Sequence, residues 1–583
     1  MKKLLITVSA LALATAANAA GSTSTVNQSG SGQNATVNQS AGNNGTSLID
    51  QQGSANTAAV TQGGSTNSAT IDQKGASTTQ NGSTSTQTGT GGVVQVKQRG
   101  RDNESTITQN SGATAKVDQN SPTANNYPAL SPNNSSTINQ YGGATGALAD
   151  VKQNGELNRS NVAQNSDADA FVDQTGVYNE VNVNQGAGAG GATATITQLG
   201  TPAGGGAGIG NGDNLANVTQ NADATATINQ NASPGYSGGF PSNSSTVNQD
   251  GNLGVVMVDQ TGNDNMGNAT QFAGAASSNS NIFQDGKGNL ASSTQDASGT
   301  KSNIEQGGFG ALATNDGNKA TVTQFAGATN SVSDINQGGD DNETMVSQSG
   351  ASGDSFAYTF GQRNVLDVTQ SGTRNVSVVQ LGEYNGVGPA EDNEATVSQS
   401  GANNYSYLQQ EGSANVAQVT LSGVGVHTAP RQLSSNGYQA NEPAESELYQ
   451  LGSNNSATVD QAADTATSLI LQGGDSSFNI VAGSSGNTAV VTQTAGGDLS
   501  TSRVFQGGDD NEANVTQSGA DNDSFGEQQG TDHLLTVIQS GIDNQSNVNQ
   551  TNTGNKAFVT QLTNSNISTV TQTGTGGIAN VTQ

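Results

Sequence analysis

The side chains that recur at fixed spacing in this sequence are carboxamides, and the chemistry they offer is hydrogen bonding. Glutamine returns every 11 residues through the C-terminal stretch, at Gln506, Gln517, Gln528, Gln539, Gln550, Gln561, Gln572 and Gln583. Asparagine stands five residues after most of them, at Asn511, Asn522, Asn544, Asn555 and Asn566. Each carboxamide has donors and an acceptor, so identical side chains stacked about 4.7–4.8 Å apart can bond one another. We therefore predict that these residues form structural ladders.

The sequence shows no pattern of acid–base or metal-binding residues comparable to the carboxamide repeat. His427 lies in a predicted loop and His533 fills an asparagine position, and neither has a histidine partner at metal-ligand spacing. The acidic runs at 338–343 and 507–512 lack the spacing of a calcium-binding loop. We interpret them as solvated turns, with weak Ca²⁺ binding as the open alternative. The absence of cysteine excludes thiolate metal sites. The sequence predicts no enzyme, no cofactor and no metal site.

The elements that position the carboxamides are predicted to be strands. Within each unit the asparagine, a small residue, a valine and the next glutamine are spaced by two, so they share one face of a strand. A helix would scatter the same residues around its axis. A glycine two residues after the glutamine indicates a tight turn. These turn glycines are Gly508, Gly519, Gly530, Gly541 and Gly574.

A single strand cannot bury its own face, so the units must stack. The sequence predicts an all-β fold, a β-solenoid of cross-β type built from strand-turn-strand repeats, with about twenty two-strand layers. Alternation predicts that Asn544, Ser546, Val548 and Gln550 face inward and that Gln545, Asn547 and Asn549 face outward. The competing interpretation is a disordered Gln/Asn-rich tract, which gives no reason for a fixed register.

The domain organisation is predicted from the N-terminal residues and from the positions of the prolines. Residues 1–19 are predicted to be a secretory signal peptide, with Lys2 and Lys3, a short apolar run and a small-residue cleavage site at Ala17–Ala19. Residues 20–583 are predicted to be the solenoid, without a membrane span. The frame is interrupted by predicted loop insertions near 120–135, 199–213, 231–243, 385–392 and 422–447. All 9 prolines lie in these insertions, as expected if the rest forms strands.

The net charge and the outward residues argue against several classes of binding partner. The formal net charge of −29 disfavours binding to nucleic acid and to anionic lipid. The outward positions mix Asn, Asp, Thr, Lys and Ala, which argues against a flat ice-binding face. With 31% hydrophobic residues, composition alone would indicate disorder, but the repeat overrides it.

The repeat unit resembles a known family. It is similar to the curlin repeat of bacterial curli amyloid subunits, in an unusually long form. One unit that matches position by position is Gln62, Gly64, Asn67, Ala69, Ile71 and Gln73. The resemblance implies a secreted fimbria-like subunit that polymerises into functional amyloid for cell adhesion and biofilm. It also implies a nucleator subunit and an outer-membrane export pore as partners.

We expect the chain to polymerise with itself, head to tail, into extracellular fibres at the cell surface. The first predicted strand begins at Ser22 and the last ends at Gln583, and neither contains proline. Edge strands without such blockers are expected to pair with another copy. The alternative is a non-polymerising secreted β-solenoid, either an adhesin or a glycan- or ice-binding surface protein.

Overall fold

The computed structural model describes the chain in stretches that contain strands and turns and no helix. The described residues are 11–15, 20–40, 43–75, 80–121, 134–200, 214–232, 243–307, 316–382, 390–425, 446–479, 481 and 483–583. They form two compact units, Met1–Gly288 and Asn289–Gln583. In each unit the odd-numbered strands make one sheet, called the odd sheet, and the even-numbered strands make the even sheet.

The first unit contains twenty-two of the strands. Its odd sheet comprises β1 (Leu11–Thr15), β3 (Asn34–Gln39), β5 (Thr57–Gln62), β7 (Gly82–Gln87), β9 (Asn103–Gln109), β11 (Asn134–Gln140), β13 (Asn158–Gln164), β15 (Glu180–Gln185), β17 (Leu215–Gln220), β19 (Ser244–Gln249) and β21 (Met266–Gln271). Its even sheet comprises β2 (Thr23–Ser31), β4 (Thr46–Ser54), β6 (Ser68–Gly75), β8 (Val93–Gly100), β10 (Thr114–Asn120), β12 (Leu148–Glu156), β14 (Asp169–Val177), β16 (Thr193–Leu199), β18 (Thr225–Ala232), β20 (Val255–Asn263) and β22 (Asn279–Lys287).

The second unit repeats this arrangement. Its odd sheet comprises β23 (Leu290–Gln295), β25 (Lys319–Gln324), β27 (Glu343–Gln348), β29 (Val365–Gln370), β31 (Glu394–Gln399), β33 (Val416–Leu421), β35 (Ser456–Gln461), β37 (Thr488–Gln493), β39 (Glu512–Gln517), β41 (Leu534–Gln539), β43 (Lys556–Gln561) and β45 (Ile578–Thr582). Its even sheet comprises β24 (Lys301–Gln306), β26 (Val332–Asp340), β28 (Asp354–Gln362), β30 (Val376–Leu381), β32 (Tyr405–Ser413), β34 (Ser446–Ser453), β36 (Thr467–Gln472), β38 (Thr501–Asp509), β40 (Asp523–Thr531), β42 (Gln545–Thr553) and β44 (Ile567–Gln572).

Within each unit, strands two apart in the sequence pair in parallel and in register. Along β38, β40 and β42, for example, Gln506 lies beside Gln528 and Gln528 beside Gln550. The 11-residue repeats therefore alternate between the two sheets, and the structural period is one layer of two repeats. Each unit is a β-solenoid, as predicted.

The core lies between the two sheets because side chains alternate along each strand. In β42, Ser546, Val548 and Gln550 are buried. Gln545 and Asn547 are exposed on the outer face. Large apolar side chains fill the same inward positions elsewhere and are fully buried; they include Ile49, Ile71, Ile107 and Ile138 in the first unit and Ile304, Ile335, Leu366 and Leu408 in the second.

The predicted insertions are shorter than the sequence suggested where their ends are described. Asn120 ends β10, Leu199 ends β16 and Ser446 begins β34, because these residues still fit the strand alternation. Residues 122–133, 201–213, 233–242, 385–389 and 426–445 of the five insertions lie outside the described residues, and all the prolines are among them. A departure that the sequence did not predict separates β36 from β37, at residues 473–487.

The N-terminal stretch holds one described element. Strand β1 pairs in parallel with β3, and Leu11 lies beside Asn34. Residues 1–10 and 16–19 lie outside the described residues. The signal peptide stays a prediction.

Candidate functional site

The predicted glutamines form two ladders, one in each sheet. In the even sheet, Gln506 Nε2 donates to Gln528 Oε1 at 2.9 Å and Gln528 Nε2 donates to Gln550 Oε1 at 3.0 Å. The last step of this ladder runs from Gln550 to Gln572 at 2.9 Å. In the odd sheet the same bonds, at 2.9–3.0 Å, join Gln517, Gln539, Gln561 and Gln583. Neighbouring glutamines of the sequence therefore lie in different ladders.

The second N–H of each amide crosses the core to the opposite sheet. Gln506 Nε2 donates to the carbonyl oxygens of Thr488 at 2.9 Å and Asn511 at 3.0 Å. Gln528 makes the equivalent bond to the carbonyl oxygen of Glu512 at 2.9 Å. These amides are fully buried, so the crossing bonds meet the requirement that buried donors be paired. The ladders thus tie layers together and also tie the two sheets together.

The predicted asparagines form hydrogen bonds that join the turns of neighbouring layers. We call each such set of bonds a clip. The backbone N–H of Asn511 donates to Asn487 Oδ1 at 3.1 Å, and Asn511 Nδ2 donates to the carbonyl oxygen of Gly530 at 3.1 Å. Similar clips hold Asn522, Asn544, Asn555 and Asn566, whose own N–H groups bond a side chain of the preceding layer. Each asparagine therefore fixes the turn of its layer against the next.

The turn glycines are required mainly because the layers approach closely. A Cβ on Gly508 would collide with the carbonyl oxygen of Gly530, and one on Gly519 with that of Gly541. Gly508 and Gly530 also have positive φ, 96° and 137°, whereas the other predicted turn glycines do not. Positive φ therefore accounts for two of the five turn glycines. Gly574 meets nothing within 4 Å.

The left-handed turn position is occupied instead by the residue before each asparagine. It is aspartate in four consecutive repeats, with φ of 55–59° at Asp510, Asp521, Asp532 and Asp543. Aspartate and asparagine tolerate this conformation better than most residues, because their short polar side chains bond nearby backbone groups. The recurrent acidic turns therefore have a conformational role.

His533 replaces an asparagine clip and keeps its geometry. Its Nδ1 accepts the backbone N–H of Asn555 at 3.2 Å, and its own N–H donates to Asn511 Oδ1 at 3.2 Å. The side chain is 1% exposed. Burial lowers the pKa of His533, against smaller opposing effects of backbone hydrogen bonds and Asp532. The neutral imidazole is thus part of the clip, while His427 lies outside the described residues.

The acidic runs bond to turn backbone. Asp340 Oδ1 accepts the N–H of Asp316 at 3.1 Å. Asp509 Oδ1 accepts the N–H and the hydroxyl of Ser485, both at 3.0 Å. Within the described stretches no group of three or more His, Asp or Glu side chains is placed to hold a metal ion.

One outward column differs chemically between the two sheets of the first unit, which sequence reasoning missed because it treated all outward residues together. In the first unit, the residues before the glutamines of the odd sheet carry no charge: Thr61, Thr86, Thr108, Asn139, Ala163, Asn184, Thr219, Asn248 and Thr270. The same column of the even sheet is largely charged: Asp50, Asp72, Lys97, Asp118, Lys152, Asp173, Thr197, Asn229 and Asp259. Comparing residues 22 apart, and not 11, would have revealed this difference.

An aromatic row on the even sheet of the second unit was also missed. The Phe478 ring lies 6.4 Å from Tyr449 and 6.0 Å from Phe505, edge-on in both cases. Phe478 belongs to the unpredicted departure between β36 and β37. The hydroxyl of Ser476 donates to Glu527 Oε1 at 3.0 Å, which anchors this segment on the sheet. Phe505 is consequently buried on an outward-facing position.

Repeats that stack into parallel, in-register layers with amide ladders define a cross-β solenoid. The profile of the curlin associated repeat matches residues 48–75, 390–420 and 508–541. These three stretches of the chain are therefore curlin associated repeats. A search of curated proteins found no match. Within the described stretches, no helix is long and apolar enough to cross a membrane.

Proposed function

We propose that this chain is the structural subunit of extracellular, curli-type amyloid fibres that serve cell adhesion and the biofilm matrix, and that it has no catalytic role. The family of its repeats supports self-association and an extracellular location. Secretion through the predicted leader, an outer-membrane export pore and a nucleator subunit belong to the same proposal.

The observation that carries the proposal is the pair of open strand edges. Among the described residues β2 pairs only with β4, and β44 pairs only with β42. Within the described stretches, each edge therefore presents a row of backbone N–H and C=O groups without a partner strand, which is a template for another chain. Additional strands would continue the parallel, in-register pairing that already builds each unit.

Charge is absent where assembly would occur. The chain carries a net charge of −29, yet β1, β2, β44 and β45, the outermost described strands of the two sheets, contain no charged residue. Ile567 and Ile578, on β44 and β45, are each 67% exposed. Natural edge strands that must stay single are usually blocked by charge or proline, and these strands have neither.

Assembly of purified protein tests the proposal. We expect unbranched fibres by negative-stain electron microscopy, and slower assembly when a proline-rich, charged extension follows Gln583. A glycine-serine extension of equal length is the matched control and should leave the rate close to that of the unextended chain. Protein that stays monomeric for days at high concentration would contradict the proposal.

A second candidate function is favoured by the uncharged column that precedes the glutamines on the odd sheet of the first unit. There Thr84 lies beside Thr106, and Thr86 beside Thr108, so hydroxyl groups repeat in two directions. A regular column of hydroxyl groups suits a glycan or ice surface. This candidate predicts a monomer that binds a polysaccharide or ice. Loss of that binding in Thr106→Lys, with no fibres from either protein, would support it over the first.

A further inference from the structure

Two outward columns on the odd sheet of the first unit carry no charge, and we call them together the neutral strip. From β3 to β21, the column three residues before the glutamines holds Thr36, Ala59, Thr84, Thr106, Thr137, Asn161, Asn182, Asn217, Thr246 and Asn268. The column one residue before the glutamines holds Asn38, Thr61, Thr86, Thr108, Asn139, Ala163, Asn184, Thr219, Asn248 and Thr270. Every side chain of the strip is threonine, asparagine or alanine, and every one is at least partly exposed to solvent.

The same two columns contain charges on the other sheet and in the other unit. On the even sheet of the first unit, Lys116 and Asp150 lie side by side three residues before their glutamines, and aspartate and lysine dominate the other column. On the odd sheet of the second unit, Asp367 and Asp460 interrupt the two columns. Because the chain carries a net charge of −29, copies repel one another across much of their surface. The neutral strip is a place where two copies can approach with little repulsion.

The side chains of the neutral strip are suited to packing against a copy of themselves. Threonine and alanine lose less conformational freedom when they are covered than lysine or glutamate does. The amides bond within their own column, because Asn182 Nδ2 donates to Asn217 Oδ1 at 3.0 Å. Covering such an amide leaves this bond intact, which reduces the cost of removing water from it. In-register rows of short side chains interdigitate when two sheets pair face to face.

The neutral strip is large enough for a specific contact. The odd strands from β3 to β21 span about 48 Å at about 4.8 Å per strand, and two columns of alternate residues are about 14 Å wide. Charge returns in the adjacent column, at Glu104, Arg159 and Glu180. Pairing two strips would cover roughly 670 Å² on each copy and roughly 1,300 Å² in all, which reaches the range of about 1,200–2,000 Å² for specific interfaces.

We propose that two copies pair face to face through their neutral strips, so that each fibre contains two laterally paired chains in cross-section. This inference rests on the proposed fibres and adds a contact at right angles to their growth. A contact between two identical strips is closed by a two-fold axis, so lateral addition stops at two chains. The charged even sheets then lie on the outside of the pair, where water and salt screen them.

Mass per length tests the lateral pairing. Unstained fibres of the wild-type protein and of Thr106→Asp with Thr246→Asp are compared by scanning transmission electron microscopy. The double variant places a carboxylate on two strands of the neutral strip, where like charges of both copies would meet in the contact. We expect its fibres to have half the mass per length of wild-type fibres.

Two control variants match the aspartate variant. Thr70→Asp with Thr227→Asp makes the same changes in the equivalent column of the even sheet, where both threonines are also partly exposed. Thr106→Asn with Thr246→Asn introduces a residue that is already common in the neutral strip. Fibres of both controls should keep the wild-type mass per length. Hydrogen exchange of β9 and β19 checks that each variant is folded, and lysine replaces aspartate, with the same expectation, if the aspartate variant is not.

The outcomes separate the inference from the proposed function. Wild-type protein that forms no fibres overturns both. Wild-type fibres with the same mass per length as fibres of the Thr106→Asp, Thr246→Asp variant overturn the inference and leave the function standing. If those wild-type fibres also bind an insoluble neutral glucan that the variant does not bind, the strip is assigned to a glycan instead. A halved mass per length in the Thr70→Asp, Thr227→Asp control would overturn the neutral strip as the contact.

Discussion

A glycine and a leucine in adjacent strands of the second unit form a compensated pair. Gly526 stands in a valine position, between Val504 and Val548 in the even sheet. Leu535, fully buried, stands in an alanine position of the odd sheet, between Ala513 and Ala557. A Cβ on Gly526 would overlap the Leu535 Cδ2 methyl. The leucine thus fills the space that the glycine leaves.

The pair predicts that the stability changes of the two single variants are strongly non-additive. Leu535→Ala removes three carbons, a loss of about 2.4 kcal/mol in transfer free energy at about 0.8 per carbon, and the unfilled space brings the cost to roughly 3 kcal/mol. Gly526→Val forces its methyl groups against Leu535 and should cost about 1–3 kcal/mol. The double variant restores the valine and alanine of neighbouring layers and should lie within about 1 kcal/mol of wild type, so the coupling free energy is about 3 kcal/mol or more.

Hydrogen exchange measures the change in the free energy of local unfolding strand by strand. A local measurement is needed because a stacked repeat does not unfold as one two-state unit. Leu535→Ala should reduce the protection of β40 and β41 amides roughly 100-fold, since about 1.4 kcal/mol corresponds to tenfold. Leu534→Ala, the adjacent outward-facing leucine, is the control and should change protection by about twofold or less. A double variant as poorly protected as Leu535→Ala would refute the complementary packing.

The remaining predictions concern the clips, the strand parity and the insertions. Burial lowers the pKa of His533, so its contribution to stability is complete above the ordinary pKa of about 6.5 and is lost as the pH falls below that value. His533→Asn should therefore flatten the acidic part of a plot of unfolding free energy against pH. An unchanged plot would contradict the assignment of a buried, neutral His533. Val548→Asp should disrupt its layer by burying an unpaired charge, measured as lost amide protection, whereas Asn547→Asp on the outer face should be nearly silent; equal damage would contradict the parity. Replacing residues 426–445 by a short glycine-serine linker should leave the protection of β33 and β34 unchanged, and their unfolding would make that segment part of the core.

Much of the fold follows from residue alternation, because a one-residue shift would exchange the buried and exposed faces. Gln506 and Gln517 share the same position in their repeats, and both are buried in ladders. The repeat register is kept even where another residue replaces the glutamine. Thr359 and Leu421 occupy glutamine positions and lie in register with Gln337 and Gln399. Local spacing was therefore sufficient to assign strands, register and turns.

What the sequence could not supply was the assignment of repeats to sheets. The spacing of 11 residues treats Asp50 and Thr61 as equivalent, although one lies on the even sheet and the other on the odd sheet. Only the parallel pairing of strands two apart separates the charged column before the even-sheet glutamines from the neutral column before the odd-sheet glutamines. The direction of the amide ladders is likewise a property of packing, because glutamine can donate or accept either way.

The segment between β36 and β37 escaped prediction for a related reason. It contains no proline, which had marked the other departures. Its contacts, from Phe478 to Phe505 and from Ser476 to Glu527, join residues distant in sequence. Compensation between Gly526 and Leu535 also crosses from one sheet to the other. No local pattern within a single repeat reports such contacts.

The central claim is that copies of this chain extend one another's sheets by parallel, in-register pairing. X-ray diffraction from aligned fibres of the purified protein measures this directly. The account predicts a strong meridional reflection near ~4.7 Å, with strands perpendicular to the fibre axis. Aligned material without that reflection, or protein that forms no fibres at all, would contradict it.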